Sequence, residues 1–155
     1  MNRQHGYNKK IKNTNPKEYE NIKFRSTLEC SCYKKLKSSN LDFEYESEKI
    51  ILWDGTKLNN TKFYAPNKCG FKYNKFITLQ TRKLINITYT PDFVVYYKDY
   101  KIYFDVKGKE NDVYPLKKKM FLKILEERND GYKYMFFEPH SVGQMLESIK
   151  IIKEL

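Results

Sequence analysis

The sequence predicts a single α/β domain in which a mixed β-sheet is flanked by helices. Three observations predict it. The chain is 155 residues long, the length of one domain with a modest core. Aromatic residues make up 16% of it, chiefly 14 Tyr and 10 Phe, more than a disordered basic chain carries. The apolar periodicity switches along the chain in the order helix, three or more strands, helix, strand, helix, with no internal repeat and no second domain.

Taken in order, residues 1–21 read as a flexible basic arm rich in Asn and Lys, with Pro16 interrupting any helix. Ser26 and Glu29 fit a capping box, and Leu28, Cys32 and Leu36 follow at helical spacing up to Asn40. Phe43 to Glu46 alternates apolar and acidic residues and is expected to run on into Ile50–Trp53 as one strand, ended by a turn at Asp54-Gly55. The 54–86 segment is an extension whose Asn-rich turns, Cys69-Gly70 and lysines fit a hairpin or an extended arm. Ile87–Tyr97 and Tyr100–Val106 are rich in β-branched and aromatic residues, with Lys98-Asp99 as the turn between them. Leu116, Met120, Ile124 and Leu125 mark an amphipathic helix that stops at Asn129-Asp130-Gly131, and Tyr132–Phe137 is an apolar strand. Ser141 and Gln144 repeat the capping-box pattern ahead of a last helix, with Val142, Met145, Leu146, Ile149 and Ile152 on one face. A sheet of about four or five strands is expected.

The balance of 30 Lys+Arg against 19 Asp+Glu leaves a formal charge of +11, which favours a polyanionic partner through counterion release. The charge is patchy. Residues 1–37 hold ten basic residues and three Glu, whereas Asp42–Glu48 holds four acids and no base. No stretch approaches the roughly 18 uninterrupted apolar residues of a membrane span, and mean hydropathy is −0.80. The polar, basic N-terminus does not fit a secretory signal, and three cysteines do not fit a disulfide framework. An intracellular, non-membrane protein is expected.

One constellation carries chemistry. With a two-residue turn at Lys98-Asp99, Asp92 is expected directly opposite Asp105 and on the same face, with Cβ atoms roughly 4.5–5.5 Å apart; Lys107 projects from the same side of its strand as Asp105. Facing carboxylates repel unless a cation sits between them. Oxygen ligands of this kind suit Mg²⁺ or Mn²⁺, which take one or two carboxylates, waters and substrate phosphate. Such a metal activates water for phosphodiester hydrolysis, with Lys107 orienting the attack. Plainer readings stand beside this: an Asp after Pro is a common turn residue, Asp-x-Lys is an ordinary ion pair, and Glu29 is the third residue of a capping box.

Phe24-Arg25-Ser26-Thr27-Leu28-Glu29, Phe43-Glu44-Tyr45-Glu46, Tyr89-Thr90-Pro91-Asp92-Phe93 and Asp105-Val106-Lys107-Gly108, followed by a basic helix with Lys117-Lys118-Lys119, resemble the bacteriophage endonuclease I family. These are Holliday-junction resolvases of the PD-(D/E)xK nuclease superfamily. The resemblance covers about residues 24–125. It implies a restriction-endonuclease-like fold, with residues 22–155 as the nuclease domain, and a metal-dependent endonuclease acting on branched DNA as a homodimer, in the cytoplasm of a host cell or associated with a virion. Glu29, Asp92, Asp105 and Lys107 take the catalytic positions. Asp92, Asp105, the Val106 carbonyl and Glu29 take the metal positions. Two departures stand out: Asp105 is commonly Glu in the family, and a short connection that helps join two active sites is here the long segment between Glu48 and Tyr89.

Arg25, Lys109, Lys117, Lys118 and Lys119 are the candidate DNA contacts. Cys30, Cys32 and Cys69 with His5 or His140 make a poor zinc set, because Cys30 and Cys32 lie two apart on a helix and point to different faces. Two rival functions remain: a catalytically inactive nuclease fold that binds DNA or serves as a virion-associated structural protein, and a duplex-specific nuclease of the same superfamily.

Overall fold

The computed structural model describes residues 16–62, 64–66, 76–78, 83–108 and 111–155. Ten strands and three helices occur among them: β1 Lys17–Tyr19, β2 Ile22–Phe24, α1 Thr27–Ser38, β3 Asp42–Tyr45, β4 Ile50–Trp53, β5 Tyr64–Pro66, β6 Phe76–Thr78, β7 Ile87–Tyr89, β8 Phe93–Tyr97, β9 Tyr100–Phe104, α2 Tyr114–Glu127, β10 Lys133–Phe137 and α3 Val142–Lys153. The central sheet is mixed and four-stranded, in the order β10-β9-β8-β3. Only the β10–β9 pair is parallel, and α2 supplies the crossover that a parallel pair requires. The expected α/β class is therefore the observed one.

The β8–β9 hairpin keeps a constant register from Tyr97 opposite Tyr100 to Phe93 opposite Phe104, because Lys98-Asp99 is a two-residue turn with Lys98 at φ +52°. Alternate side chains then face opposite layers. Phe93, Val95, Ile102 and Phe104 are buried with Leu36 of α1 and Met145, Ile149 and Ile152 of α3. Val94 and Tyr103 are buried with Phe121 and Leu125 of α2. Each face of the sheet thus has its own apolar core, and the chain forms a three-layer sandwich.

Both capping boxes form, shifted by one residue. Ser26 accepts the Glu29 N–H at 3.1 Å, while the Glu29 carboxylate reaches back to the N–H of Arg25, one residue before the cap. Ser141 accepts from Gln144, whose side-chain oxygen takes the His140 N–H at 2.6 Å.

Several expectations give way. The strand expected to run from Phe43 to Trp53 is broken, and so is the one expected over Ile87–Tyr97. β3 pairs with β8 in the central sheet, but β4 pairs with β7 in a separate ladder. Between the two ladders four residues, Glu46 to Lys49, face three, Thr90 to Asp92. Pro91 has no N–H to give a ladder, and Glu46 turns at φ +47°, so both strands bend at one level. The arm expected over residues 1–21 overlaps the structured chain, since Lys17–Tyr19 pairs with Ile22–Phe24; residues 1–15 lie outside the described residues. Leu116 and Leu146 are exposed, at 60% and 47%; Tyr114 and Phe121 fill the inner face of α2. Within the 54–86 segment, β5 pairs with β6 and Lys57 bridges Lys83. No helix among the described residues is long and apolar enough to cross a membrane.

Candidate metal centre

The first turn of α1, the end of β7, the start of β8, the exits of β9 and β10 and the start of α2 contribute residues to one polar cluster. Asp92 immediately precedes β8 and Asp105 immediately follows β9, so the two lie just past the last pair of the hairpin, Phe93–Phe104. The Asp92 N–H donates to the Phe104 carbonyl at 2.9 Å, and the Val106 N–H donates to Asp92 Oδ2 at 2.6 Å. The turn brings the two acids to the same end of the hairpin, but not onto one face as expected: the paired register ends at Phe93–Phe104, and the Asp105 N–H goes to Phe137 of β10. Both are buried, at 3% and 1% exposure.

Their surroundings differ. Asp92 looks toward the α1 layer, with Arg25 Nη2 3.6 Å from Oδ1. Arg25 also pairs with Glu46. Asp105 looks toward the α2 layer, where Oδ2 accepts the Tyr89 hydroxyl and Oδ1 lies 2.8 Å from Lys107 Nζ. Strand β10 backs this arm: the Asp105 N–H donates to Phe137 O and the Lys107 N–H to Pro139 O, both at 3.0 Å.

Glu29 is buried, and its two carboxylate oxygens serve three donors: the Arg25 N–H, the Ser26 hydroxyl and the Tyr45 hydroxyl, at 3.1, 3.3 and 3.1 Å. It both completes its helix cap and stands close enough to act on Asp92. Burial pushes the Asp92 carboxyl well above the usual carboxylate range, and the charges of Asp105 and Glu29 push it further, against Lys107 and the Val106 N–H. Burial likewise pushes the Cys32 thiol up to about 12, with Asp92 and Glu29 adding to it. Burial raises the Tyr89 hydroxyl first and Asp105 next; for Tyr45 the order is burial, then Glu29.

The donor set is all oxygen, and removing two carboxylates from water without a shared counter-ion is costly. Among the described residues no group of three or more His, Cys, Asp or Glu is arranged to hold a metal by side chains alone. Two carboxylates are nonetheless what Mg²⁺ takes when waters and phosphate complete its shell. The Asp92 and Asp105 carboxylates are therefore the kind of donors a hard divalent cation takes. Glu29, already serving three donors, fits a place beside such an ion better than one on it.

The candidate DNA contacts divide. Arg25 is 60% exposed at the rim. Lys117 donates to the Thr88 carbonyl at 2.9 Å and Lys118 is 2.8 Å from Glu138, so both are half-buried braces of α2. Lys119 is exposed. Lys109 lies outside the described residues, as do Cys69 and His5; Cys30 and Cys32 are buried and free. Sequence reasoning assigned no role to Tyr45, Tyr89, Tyr114 or Glu138. Tyr45 and Tyr89 lie inside the quoted motif blocks, and their place beside buried acids is the signal that could have found them.

The fold and this cluster define an α/β protein with a buried two-carboxylate, one-lysine centre at one end of its sheet. The chain matches, over residues 7–135, the profile of the family described as a protein of unknown function (DUF1064), and it belongs to that family. All four residues expected at the catalytic positions fall within the matched span. Neither a curated protein nor a solved structure matches the chain.

Proposed function

We propose that this protein is a divalent-metal-dependent endonuclease that hydrolyses phosphodiesters in DNA. The observation that carries the reading is the buried Asp92–Asp105 pair with the Lys107 ammonium 2.8 Å from Asp105. Asp92, Asp105 and the Val106 carbonyl hold the ion, Mg²⁺ or Mn²⁺. When bound, such an ion polarises a phosphate oxygen and lowers the pKa of an attacking water. Lys107 orients that water and offsets charge developing on the phosphoryl group. Arg25 and Lys119, both exposed, meet the backbone phosphates, in keeping with a formal charge of +11. Branched DNA is the substrate and a homodimer the working form on the resemblance to the phage resolvases.

The test is cleavage of labelled four-way junctions and linear duplexes in Mg²⁺, Mn²⁺ or EDTA by the native chain and by Asp92→Ala and Asp105→Asn. Metal-dependent cleavage lost in both variants is expected. Absence of any cleavage, or cleavage unchanged by Asp92→Ala, overturns the reading, and equal cutting of duplex and junction replaces junction specificity with duplex specificity.

One observation favours a second reading. Arg25 and Lys107 already place a cation beside each acid, as a catalytically silent DNA-binding or virion-associated structural protein would need. Calorimetric titration with Mg²⁺ or Mn²⁺ separates the two, because the silent protein binds DNA without regard to metal or to Asp105→Asn.

A further inference from the structure

Among the described residues, the Lys107 ammonium faces both a carboxylate and an aromatic ring. Its Nζ lies 2.8 Å from Asp105 Oδ1 and 4.4 Å from the centroid of the Tyr114 ring. A cation over an aromatic face is attracted by the ring quadrupole, so the ring limits where a long, flexible side chain can swing. Tyr114 is itself held. Its ring is buried, packs 6.5 Å from that of Tyr89, and its hydroxyl donates to Glu138. Glu138 is fixed in turn by Lys118 at 2.8 Å and by His140 Nε2 at 3.2 Å. Glu138 follows β10 directly, and its neighbours Phe137 and Pro139 accept the backbone N–H groups of Asp105 and Lys107. Tyr89 completes the arrangement by occupying Asp105 Oδ2, leaving Oδ1 to the lysine.

We propose that Tyr114, anchored by Glu138, is the positioning residue of Lys107, holding its ammonium against Asp105 so that it meets the reacting phosphate in a single orientation. The catalytic part of this rests on the nuclease reading; the positioning part does not. A lysine on a bare surface samples many rotamers, and placing it within roughly 1 Å of its working position is worth up to about a hundredfold in rate. The Tyr114 hydroxyl also interacts with Asp105. Tyr114→Phe removes that contact while keeping the ring over which the ammonium sits, so comparison with Tyr114→Leu separates the ring's effect from the hydroxyl's.

The experiment has two arms. In [13C]lysine-labelled protein, with Lys107 assigned by Lys107→Arg, the ε-methylene protons of Lys107 are expected upfield of surface lysines because they lie over the ring. That shift persists in Tyr114→Phe and collapses in Tyr114→Leu. Should Tyr114→Leu fail the circular-dichroism check for folding, Glu138→Ala serves, since freeing the ring edge reduces the same shift. In the second arm, single-turnover cleavage in Mg²⁺ falls roughly tenfold to a hundredfold in Tyr114→Leu with DNA affinity unchanged, and only a few-fold in Tyr114→Phe. An unshifted Lys107 in the native chain, or a shift that persists in the folded variants, overturns the positioning role; equal rates for the Leu and Phe variants overturn its catalytic part. A native chain that cuts no DNA defeats the nuclease reading and leaves the resonance arm to decide the positioning role.

Discussion

Asp92 and Asp105 lie just past the last pair of the β8–β9 ladder, and the Val106 N–H closes on Asp92 Oδ2 at 2.6 Å. A sheet end is where two acids can be both buried and adjacent, because the ladder fixes their spacing while its termination leaves room above them. Their cost to stability follows from that position. In EDTA near neutral pH, Asp92→Asn keeps an oxygen for the Val106 N–H. The substitution removes a carboxyl that must take up a proton on folding, because burial and the charges of Asp105 and Glu29 push it above its usual range, so the variant melts higher than the native chain. A gain of ~1 kcal/mol corresponds to about 2–4 °C at this length. Differential scanning calorimetry in EDTA reads it, and a lower melting temperature contradicts the argument.

Saturating Mg²⁺ or Mn²⁺ reverses that order. An ion that binds only the folded chain stabilises it by about 2.7 kcal/mol at a hundredfold excess over Kd. The native melting temperature therefore rises with metal, whereas those of Asp92→Asn and Asp105→Asn stay flat. Thermal melts across a metal series measure this, and equal shifts in all three proteins would place the ion elsewhere.

How much of this was legible depends on what each residue answers to. The β8–β9 register that brings Asp92 and Asp105 to one end of the hairpin follows from the two-residue turn at Lys98-Asp99, and the starts of α1 and α3 follow from Ser26 and Ser141, because both signals are local. The layer each acid faces was not legible, because the pairing stops before it reaches them. The break at Pro91 was less visible: Ile87 to Tyr97 keeps its β-forming character through the bend, and only the unequal spans between the two ladders reveal it. Spacing alone does not choose a helix face, so Leu116 and Leu146 were placed inside although both are exposed. Tyr114 and Glu138 lie 24 residues apart in the chain and meet only because β10 returns parallel to β9. No window of sequence contains that meeting.

Lys107→Met tests the lysine apart from the acids. Methionine keeps an unbranched stem and loses the charge, so folding and metal binding survive while cleavage falls by about 10²–10³. Rate and DNA affinity should be measured together. A loss of affinity equal to the loss of rate would make Lys107 a phosphate anchor and not a participant in the chemical step.

Away from this centre, Glu48 pairs with Lys101 and accepts the Tyr103 hydroxyl at 2.9 Å. Burial opposes its charge, but Lys101 and Tyr103, with Arg128 beyond, outweigh burial and hold its carboxyl below the usual range. Its contribution is therefore complete above the unfolded value near 4.3 and is lost as pH falls through the lower folded value. At pH 7, Glu48→Gln costs about 1–3 kcal/mol, and the two proteins converge once the native carboxyl is protonated. Urea melts from pH 7 downward follow this, and a gap that does not begin to narrow as pH falls below about 4 would assign the effect to packing.

Gly55 guards the entry to the 54–86 segment. A Cβ added there would lie 2.2 Å from the Leu84 carbonyl and 2.9 Å from the Asn86 N–H nitrogen, both backbone atoms with little freedom to give way. Gly55→Ala therefore destabilises by about 1–3 kcal/mol and speeds amide exchange at Leu84, whose N–H donates to Thr56 O at 2.7 Å. Exchange rates unchanged around that bridge would show that the segment accommodates the methyl group.

Glu29 carries two roles that substitution can separate. As a cap partner it accepts the Arg25 N–H and the Tyr45 hydroxyl, and a glutamine side-chain oxygen can take over part of that. Glu29→Gln should therefore stay within about 1 kcal/mol of the native chain, whereas Glu29→Ala loses the cap partner and about 0.5–2 kcal/mol. As a charge beside Asp92 it acts only when ionised. Both variants accordingly relieve Asp92 to a similar degree and weaken the metal-dependent rise in melting temperature alike. Metal titrations followed by melting thus divide the outcomes. If Gln preserves both the stability and the full metal response, Glu29 serves its helix alone, and the working set contracts to Asp92, Asp105 and Lys107.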